Sequence, residues 1–412
     1  MISRILPITL FLFCWTFSSL KSQKTLSFDE YLSTALSEPQ VTLYDKKADF
    51  INDYPNKLPL LDRLQFRTQT DEFNLKNQDL TLRANLNGKK ERAQQDVVEE
   101  ALKDVTQNER QIAIHDVLLQ RYTNGINYYL LLQQQRLYEA QKVVLADKLN
   151  VLRQMAQYST DFDLTDYIKS EDESHSLELD MLELNHNLEL IQDEIAFQVK
   201  EEVVKLDTTN FIRPTEIMQV IKTLPSTYKK HPVFAERYAR LQQQVAEFKL
   251  EGFERERILD YVQLKYGNKN DLAFYREFSI GVGLNIPLKK VNQIKVNEIK
   301  LEKLEDREKL ANLEYYYNQE IKAAKAKASL LWEQLGLLEK QYENSQANFS
   351  ARQFEELGTS DPVAVLKIAE SLQDRQQLIF EVKESLYAVY LDLLDLTGVI
   401  SREPMKNYLQ LE

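Results

Sequence analysis

Two kinds of hydrophobic pattern divide this chain. In residues 79–87, Leu80, Leu82, Ala84 and Leu86 share one side, while Thr81, Arg83 and Asn85 share the other. In residues 278–286, Phe278, Ile280, Val282, Leu284 and Ile286 alternate with Ser279, Gly281, Gly283 and Asn285. A period of two predicts strands with one oily and one wet face. Partner strands are predicted at 64–71 and 258–266, giving two hairpins, 64–87 and 258–286.

The second pattern has a period of seven. Val98, Val105, Ile112, Leu119 and Ile126 form one row, and Leu130, Leu137, Val144 and Val151 continue it. Leu310, Tyr317, Ala324, Leu331 and Leu338 form another, beside Ile321, Ala328, Leu335, Tyr342 and Phe349. These rows predict two helices, 94–157 and 293–356, each with a single internal glycine, Gly125 and Gly336. A helix of roughly 64 residues spans about 96 Å. No globular core is that deep, so coiled-coil packing is expected. Breaks follow at 159–163 and 358–362, where Asp361-Pro362 suits a helix start. Return helices are predicted at 164–206 and 362–397, and shorter helices at 232–257 and at 28–52, the latter interrupted at Pro39.

The layout is therefore written twice. Arg153-Gln154 returns as Arg352-Gln353 and Thr160 as Thr359, about 199 residues on. The expected organisation is a first repeat at 24–206, with its coiled-coil hairpin at 94–206. A linker follows at 207–231, then a second repeat at 232–398, with its hairpin at 293–397, and a tail at 399–412. Residues 1–22 read as a secretory signal peptide: Arg4, an apolar run from Ile5 to Phe17, then Ser18, Ser19 and Ser22. The only cysteine, Cys14, lies in that run, so no disulfide or thiol chemistry is expected of the mature chain.

Composition narrows the class. Gly 9 and Pro 10 in 412 residues are under half the usual combined share of about 12%, which disfavours all-β and α/β folds. Mean hydropathy of −0.46 excludes a polytopic helical membrane protein but not a β-barrel. A net charge of −12 without a dense basic run gives no nucleic-acid footprint. The four strands remain to be explained. If Leu80, Leu82, Leu86, Ile280, Val282 and Leu284 face lipid, the strands are a share of a membrane barrel. Open edges in lipid leave backbone groups unpaired, at several kcal/mol each, so four strands demand oligomerisation. Three chains would supply 12.

The residues then resemble a known family. Leu26-Ser27-Phe28-Asp29-Glu30-Tyr31-Leu32-Ser33-Thr34-Ala35-Leu36 is similar to the opening of the TolC-like outer membrane efflux proteins. Arg352-x-Phe354-x-x-Leu357-Gly358-Thr359-Ser360-Asp361-Pro362-Val363-Ala364-Val365-Leu366 resembles that family's second turn, and Tyr387-x-x-Tyr390-x-x-Leu393-x-x-Leu396-x-Gly398 its close. The resemblance implies a mainly α fold with a small β part, in which duplicated coiled-coil hairpins form a periplasmic tunnel. Four strands per chain would join a trimeric 12-stranded transmembrane barrel. An equatorial belt would include 207–230 and the tail. The function implied is passive exit through the Gram-negative outer membrane, in a tripartite efflux or type I secretion system with a periplasmic adaptor and an inner-membrane pump. The adaptor would dock at the tips, here Ser159, Thr160, Asp161, Leu357, Gly358, Thr359 and Ser360. The family's acidic aperture positions fall at Ala364 and Lys367.

No catalytic, cofactor or metal set is expected. His115, His175, His186 and His231 show no metal-like spacing with one another or with cysteine. Gly281-Val282-Gly283 lies in a strand and precedes no helix, so it is no phosphate cradle. Two alternatives remain: a periplasmic adaptor, which would carry one hairpin within a β-rich domain, and a structural coiled-coil protein of the envelope, which needs no oily strands.

Overall fold

The computed structural model describes residues 24–70, 78–158, 164–229, 231–255, 258–267, 278–284, 293–348, 362–402 and 405–410. The predicted signal segment and both helix-turn tips lie outside these residues. The chain opens with β1 (Lys24–Leu26) and α1 (Phe28–Ser33). Ser27 caps α1: the Glu30 amide donates to Ser27 Oγ at 3.2 Å, and the Ser27 amide donates to Glu30 Oε2 at 3.2 Å. A 3-10 turn, Thr34–Ser37, leads to α2 (Pro39–Asp53), which Pro39 starts because its missing N–H costs nothing at a first helical position. The strands β2 (Leu61–Thr70) and β3 (Gln78–Leu86) follow.

The first long helix, α3 (Lys89–Tyr158), has 70 residues. It starts five residues before the predicted boundary, directly off β3, where the Gly88 amide donates to Glu91 Oε2 at 3.2 Å. The return helix α4 (Leu164–Val199) ends short of the predicted 206. Lys200 adopts φ 58 and the Glu201 amide donates back to Ala196 O at 3.0 Å, closing the helix. The residues beyond form β4 (Val204–Leu206), parallel to β1, with Val204 and Leu206 buried. Alternate burial of two apolar side chains on the core outweighs another helical turn here.

The segment predicted as a linker contains α5 (Pro214–Thr223). Then come α6 (Pro232–Arg255), β5 (Leu259–Gly267), β6 (Phe278–Leu284), α7 (Gln293–Asn348) and α8 (Pro362–Thr397). Residues 349–356, predicted to extend α7, lie outside the described set. Gly398 ends α8 with φ +61, a conformation that favours glycine.

The long helix α3 is paved by α2, α6 and α4, and α8 packs on it as well. Arg110 Nε donates to Asp45 of α2 at 2.6 Å, and Gln94 Nε2 to the Ala246 carbonyl of α6 at 3.0 Å. Further along, Asn124 and Gln135 donate to Glu194 and Asn185 of α4 at 2.9 and 3.1 Å. The second long helix, α7, packs along α8, with α6 alongside: Gln376 reaches Tyr342 at 2.6 Å, and Tyr238 reaches Glu314 at 2.7 Å.

The core lies where α1, α3, α5, α8 and the tail converge, around Phe28, Leu118, Tyr122, Ile217, Leu393 and Leu409. Gly125 of α3 lets the Phe28 ring approach; a Cβ there would lie 2.3 Å from the ring. The tail is tied in by Tyr390 Oη donating to Tyr408 O at 2.8 Å and the Ile212 amide to Leu409 O at 2.7 Å.

Candidate functional site: a bare sheet face and a buried girdle

The two hairpins join into one antiparallel sheet in the order β2-β3-β5-β6, through pairing of β3 with β5. Register sets which residues share a face, since directly opposed residues point the same way. Three rows cross the whole sheet: Thr68–Leu80–Tyr266–Phe278, Phe66–Leu82–Leu264–Ile280 and Leu64–Ala84–Val262–Val282. All but Thr68 are apolar or aromatic. Among the described residues nothing covers this side: Phe66 is 66% exposed and Ile280 78%. Leu82, Val282 and Leu284 are exposed with them, and Leu80 and Leu86 are half-covered by strand neighbours. All six residues predicted to face lipid therefore belong to one surface.

The opposite face is polar and internally wired. Arg83 Nη2 donates to Gln263 Oε1 at 3.2 Å, its guanidinium lies 3.8 Å from the Tyr261 ring centroid, and Lys265 pairs with Asp79 at 2.6 Å. Strands β2 and β6 are sheet edges, each paired on one side only among the described residues.

At the far end of the helices, the predicted tip residues Ser159, Thr160, Asp161, Leu357, Gly358, Thr359 and Ser360 lie outside the described set. Ala364 falls in the first turn of α8. Lys367, one turn on, sits 3.2 Å from Asp166 of α4, so the position carries a cation paired across to the other hairpin. Deeper, Lys148 of α3 is buried between Glu370 of α8 at 2.5 Å and Glu173 of α4 at 3.5 Å. Burial opposes its charge, but the two carboxylates outweigh burial and hold the amine above its ordinary range. Lys367–Asp166 and Lys148–Glu370 were not apparent from sequence, because each joins separate hairpins.

The girdle holds two further polar clusters that sequence spacing did not reveal. Arg121 is fully buried. It donates to Tyr31 O at 2.8 Å, Thr34 Oγ1 at 2.5 Å and Glu38 Oε1 at 2.6 Å, with its guanidinium 4.8 Å from the Tyr31 ring. A lone Arg between Leu118 and Tyr122 on an apolar stripe was the available signal. Second, His115 of α3, His231 just before α6 and Asp395 in the last turn of α8 meet. The imidazole centroids are 4.6 Å apart, and His115 Nε2 lies 2.8 Å from Asp395 Oδ1.

No family model and no curated protein sequence matches the chain. Solved structures do. The CmeC outer membrane channel of Campylobacter jejuni superposes with a TM-score of 0.64 at 12% identity, over 90% of this chain and 85% of that one. CusC, whose structures follow folding and transmembrane channel formation, gives 0.63 at 12%, over 90% and 92%. The outer membrane protein VceC of Vibrio cholerae gives 0.61 at 12%, over 90% and 96%. At such identities the likeness is one of architecture, and it agrees with the duplicated hairpins and the two-faced sheet: the chain has the TolC-like fold of outer-membrane channels.

Proposed function

We propose that this chain is one subunit of a homotrimeric exit channel in the Gram-negative outer membrane. The observation that carries the reading is the sheet: one face bare and apolar, the other polar and cross-linked, with both edges open. Water disfavours the first face at roughly 25 cal/mol per Å² of apolar surface. Lipid accepts that face but does not tolerate open edges. Closing the edges against two further copies, into a barrel of 12 strands, removes both problems. The wired polar face then lines a water-filled lumen, and the coiled-coil hairpins extend it as a periplasmic tunnel.

In this reading the conduit is passive and catalyses no reaction. An inner-membrane pump supplies energy, and a periplasmic adaptor docks at Ser159–Asp161 and Leu357–Ser360. Lys367–Asp166 and the Lys148 cluster link α4 to α8, so they hold the two hairpins of one subunit together near the tips. Adaptor docking opens the tunnel by separating hairpins that such contacts restrain. Residues 1–22 direct export and are removed.

The test is extraction and conductance. The mature chain should require detergent for release from outer-membrane fractions, crosslink to a trimer, and form discrete conducting units in planar bilayers. A monomer released by buffer alone refutes the proposal and favours an adaptor or structural role.

A further inference from the structure

The girdle cluster offers a ligand set that the exit-channel reading does not use. His115, His231 and Asp395 each offer one ligand atom, and those atoms all lie within 4.8 Å of one another. The two side chains from histidine are 2% and 3% exposed, and the Asp395 side chain is 36% exposed. The set is thus walled by protein on the imidazole side and open to solvent on the carboxylate side, which gives an ion an entry path.

His231 Nε2 is buried and has no hydrogen-bond partner among the described residues; Asp395 Oδ1 lies 3.8 Å away. A buried polar atom left in this way calls for a partner. Around it the Tyr317 and Phe234 rings pack edge-on at 5.1 and 6.3 Å, and the Asp116 carboxylate lies within electrostatic reach of both imidazoles and of Asp395.

We infer that His115, His231 and Asp395 form a binding site for a divalent transition-metal cation of the zinc class. Two neutral imidazoles and one carboxylate match what such ions take, and three protein ligands leave a fourth position for water. Ser401 Oγ lies 3.3 Å from His115 Nδ1 and can accept its proton, freeing Nε2 for the metal, as outer partners of ligating histidines do.

One contact works against loading. The Val233 amide donates to His231 Nδ1 at 3.2 Å, which leaves the ring proton on Nε2. Binding must move that proton off Nε2 and sacrifice one long, neutral hydrogen bond at the start of α6. A metal–imidazole bond is much the stronger. Loading also displaces the proton between His115 and Asp395. The ion would join α3, α8 and the approach to α6 at one point of the girdle.

The experiment uses untagged, detergent-solubilised protein stripped with chelator and titrated with Co2+, then Zn2+. One equivalent of Co2+ per chain should give visible d–d absorption, which Zn2+ abolishes. Zn2+ should raise the thermal midpoint of the stripped protein. His231→Ala and Asp395→Asn should each weaken binding at least tenfold. His175 and His186 are exposed on α4, and a His175→Ala, His186→Ala variant should bind as the parent does. Absence of d–d absorption in the parent overturns the inference. So does binding that survives His231→Ala, or binding lost with His175 and His186 instead.

Discussion

The two long helices carry the same seven-residue pattern and one internal glycine each, yet they end in different surroundings. On α3, Ala113, Ile114, Val117, Leu118, Tyr122 and Ile126 are buried within the chain. On α7, Leu301, Leu304, Tyr315, Tyr316, Leu330 and Leu337 face outward, uncovered. The first helix is wrapped by segments from both repeats and by the tail. The second has α8 and α6 along part of its circumference. The rows of seven are covered on both helices, at Val105 and Ile126 of α3 and at Leu310, Ile321, Ala328, Leu331 and Leu335 of α7, so the contrast lies in the apolar residues off those rows. The hydrophobic effect acts on both, and only the supply of covering segments differs. The sheet is unfinished in the same sense, so the girdle should be stable within one chain, while in the proposed trimer the sheet and α7 depend on further copies.

The largest expected effect tests the finished side. Arg121→Ala removes a buried guanidinium from Tyr31, Thr34 and Glu38 at once. Breaking a buried charge pair from one side typically costs about 3–5 kcal/mol. Denaturant unfolding of the detergent-solubilised protein should register a loss of that size. A loss under about 1 kcal/mol would show that the girdle does not rely on this network, and the contrast with α7 would weaken.

Much of this contrast was legible in the sequence, and part was not. Alternation at Leu80–Leu82–Ala84 and at Ile280–Val282–Leu284 was enough to predict both strands and their shared oily side, because a strand's faces follow from residue parity alone. Heptad rows predicted the long helices. The closing of α4 at Val199 was missed: the stretch that became β4 has no helix breaker, and its pairing with β1 is a contact with the far end of the repeat. The pairing of β3 with β5 was likewise unmarked, since no local signal says which hairpins meet. His115, His231 and Asp395 lie on separate elements, so ligand spacing along the chain gave no hint. Periodicity reports what an element needs to bury, and it is silent about which residues do the covering.

The next effect tests the unfinished sheet, by placing the same charge on adjacent residues of β6. Ile280→Lys puts an ammonium on the bare face. In a bilayer a Lys near the midplane costs about 2–4 kcal/mol. The variant should leave the outer-membrane fraction and lose trimer on crosslinking. Ser279→Lys points to the polar face, opposite Lys265. Like charges in water there cost under about 1 kcal/mol, and assembly should be retained. If both variants assemble equally well, the oily rows do not face lipid.

The smallest effect is also the sharpest comparison, because it makes the same substitution at the single internal glycine of each long helix. In Gly125→Ala the new methyl meets the Phe28 ring at 2.3 Å, and that ring is held edge-on by Tyr31, Tyr122 and Phe211. Overpacking of this kind costs about 1–3 kcal/mol, against about 1 kcal/mol that alanine returns in helix propensity. The net should be a loss of up to about 2 kcal/mol in unfolding experiments. In Gly336→Ala a Cβ meets nothing within 4 Å, so the propensity gain stands alone and stability should rise by about 0.5–1 kcal/mol. A loss at Gly336 together with weaker crosslinking would mean that a second copy packs closely on α7 at that turn. That result would locate the covering which α7 lacks within one chain and identify Gly336 as a subunit contact, as Gly125 is a contact within the girdle.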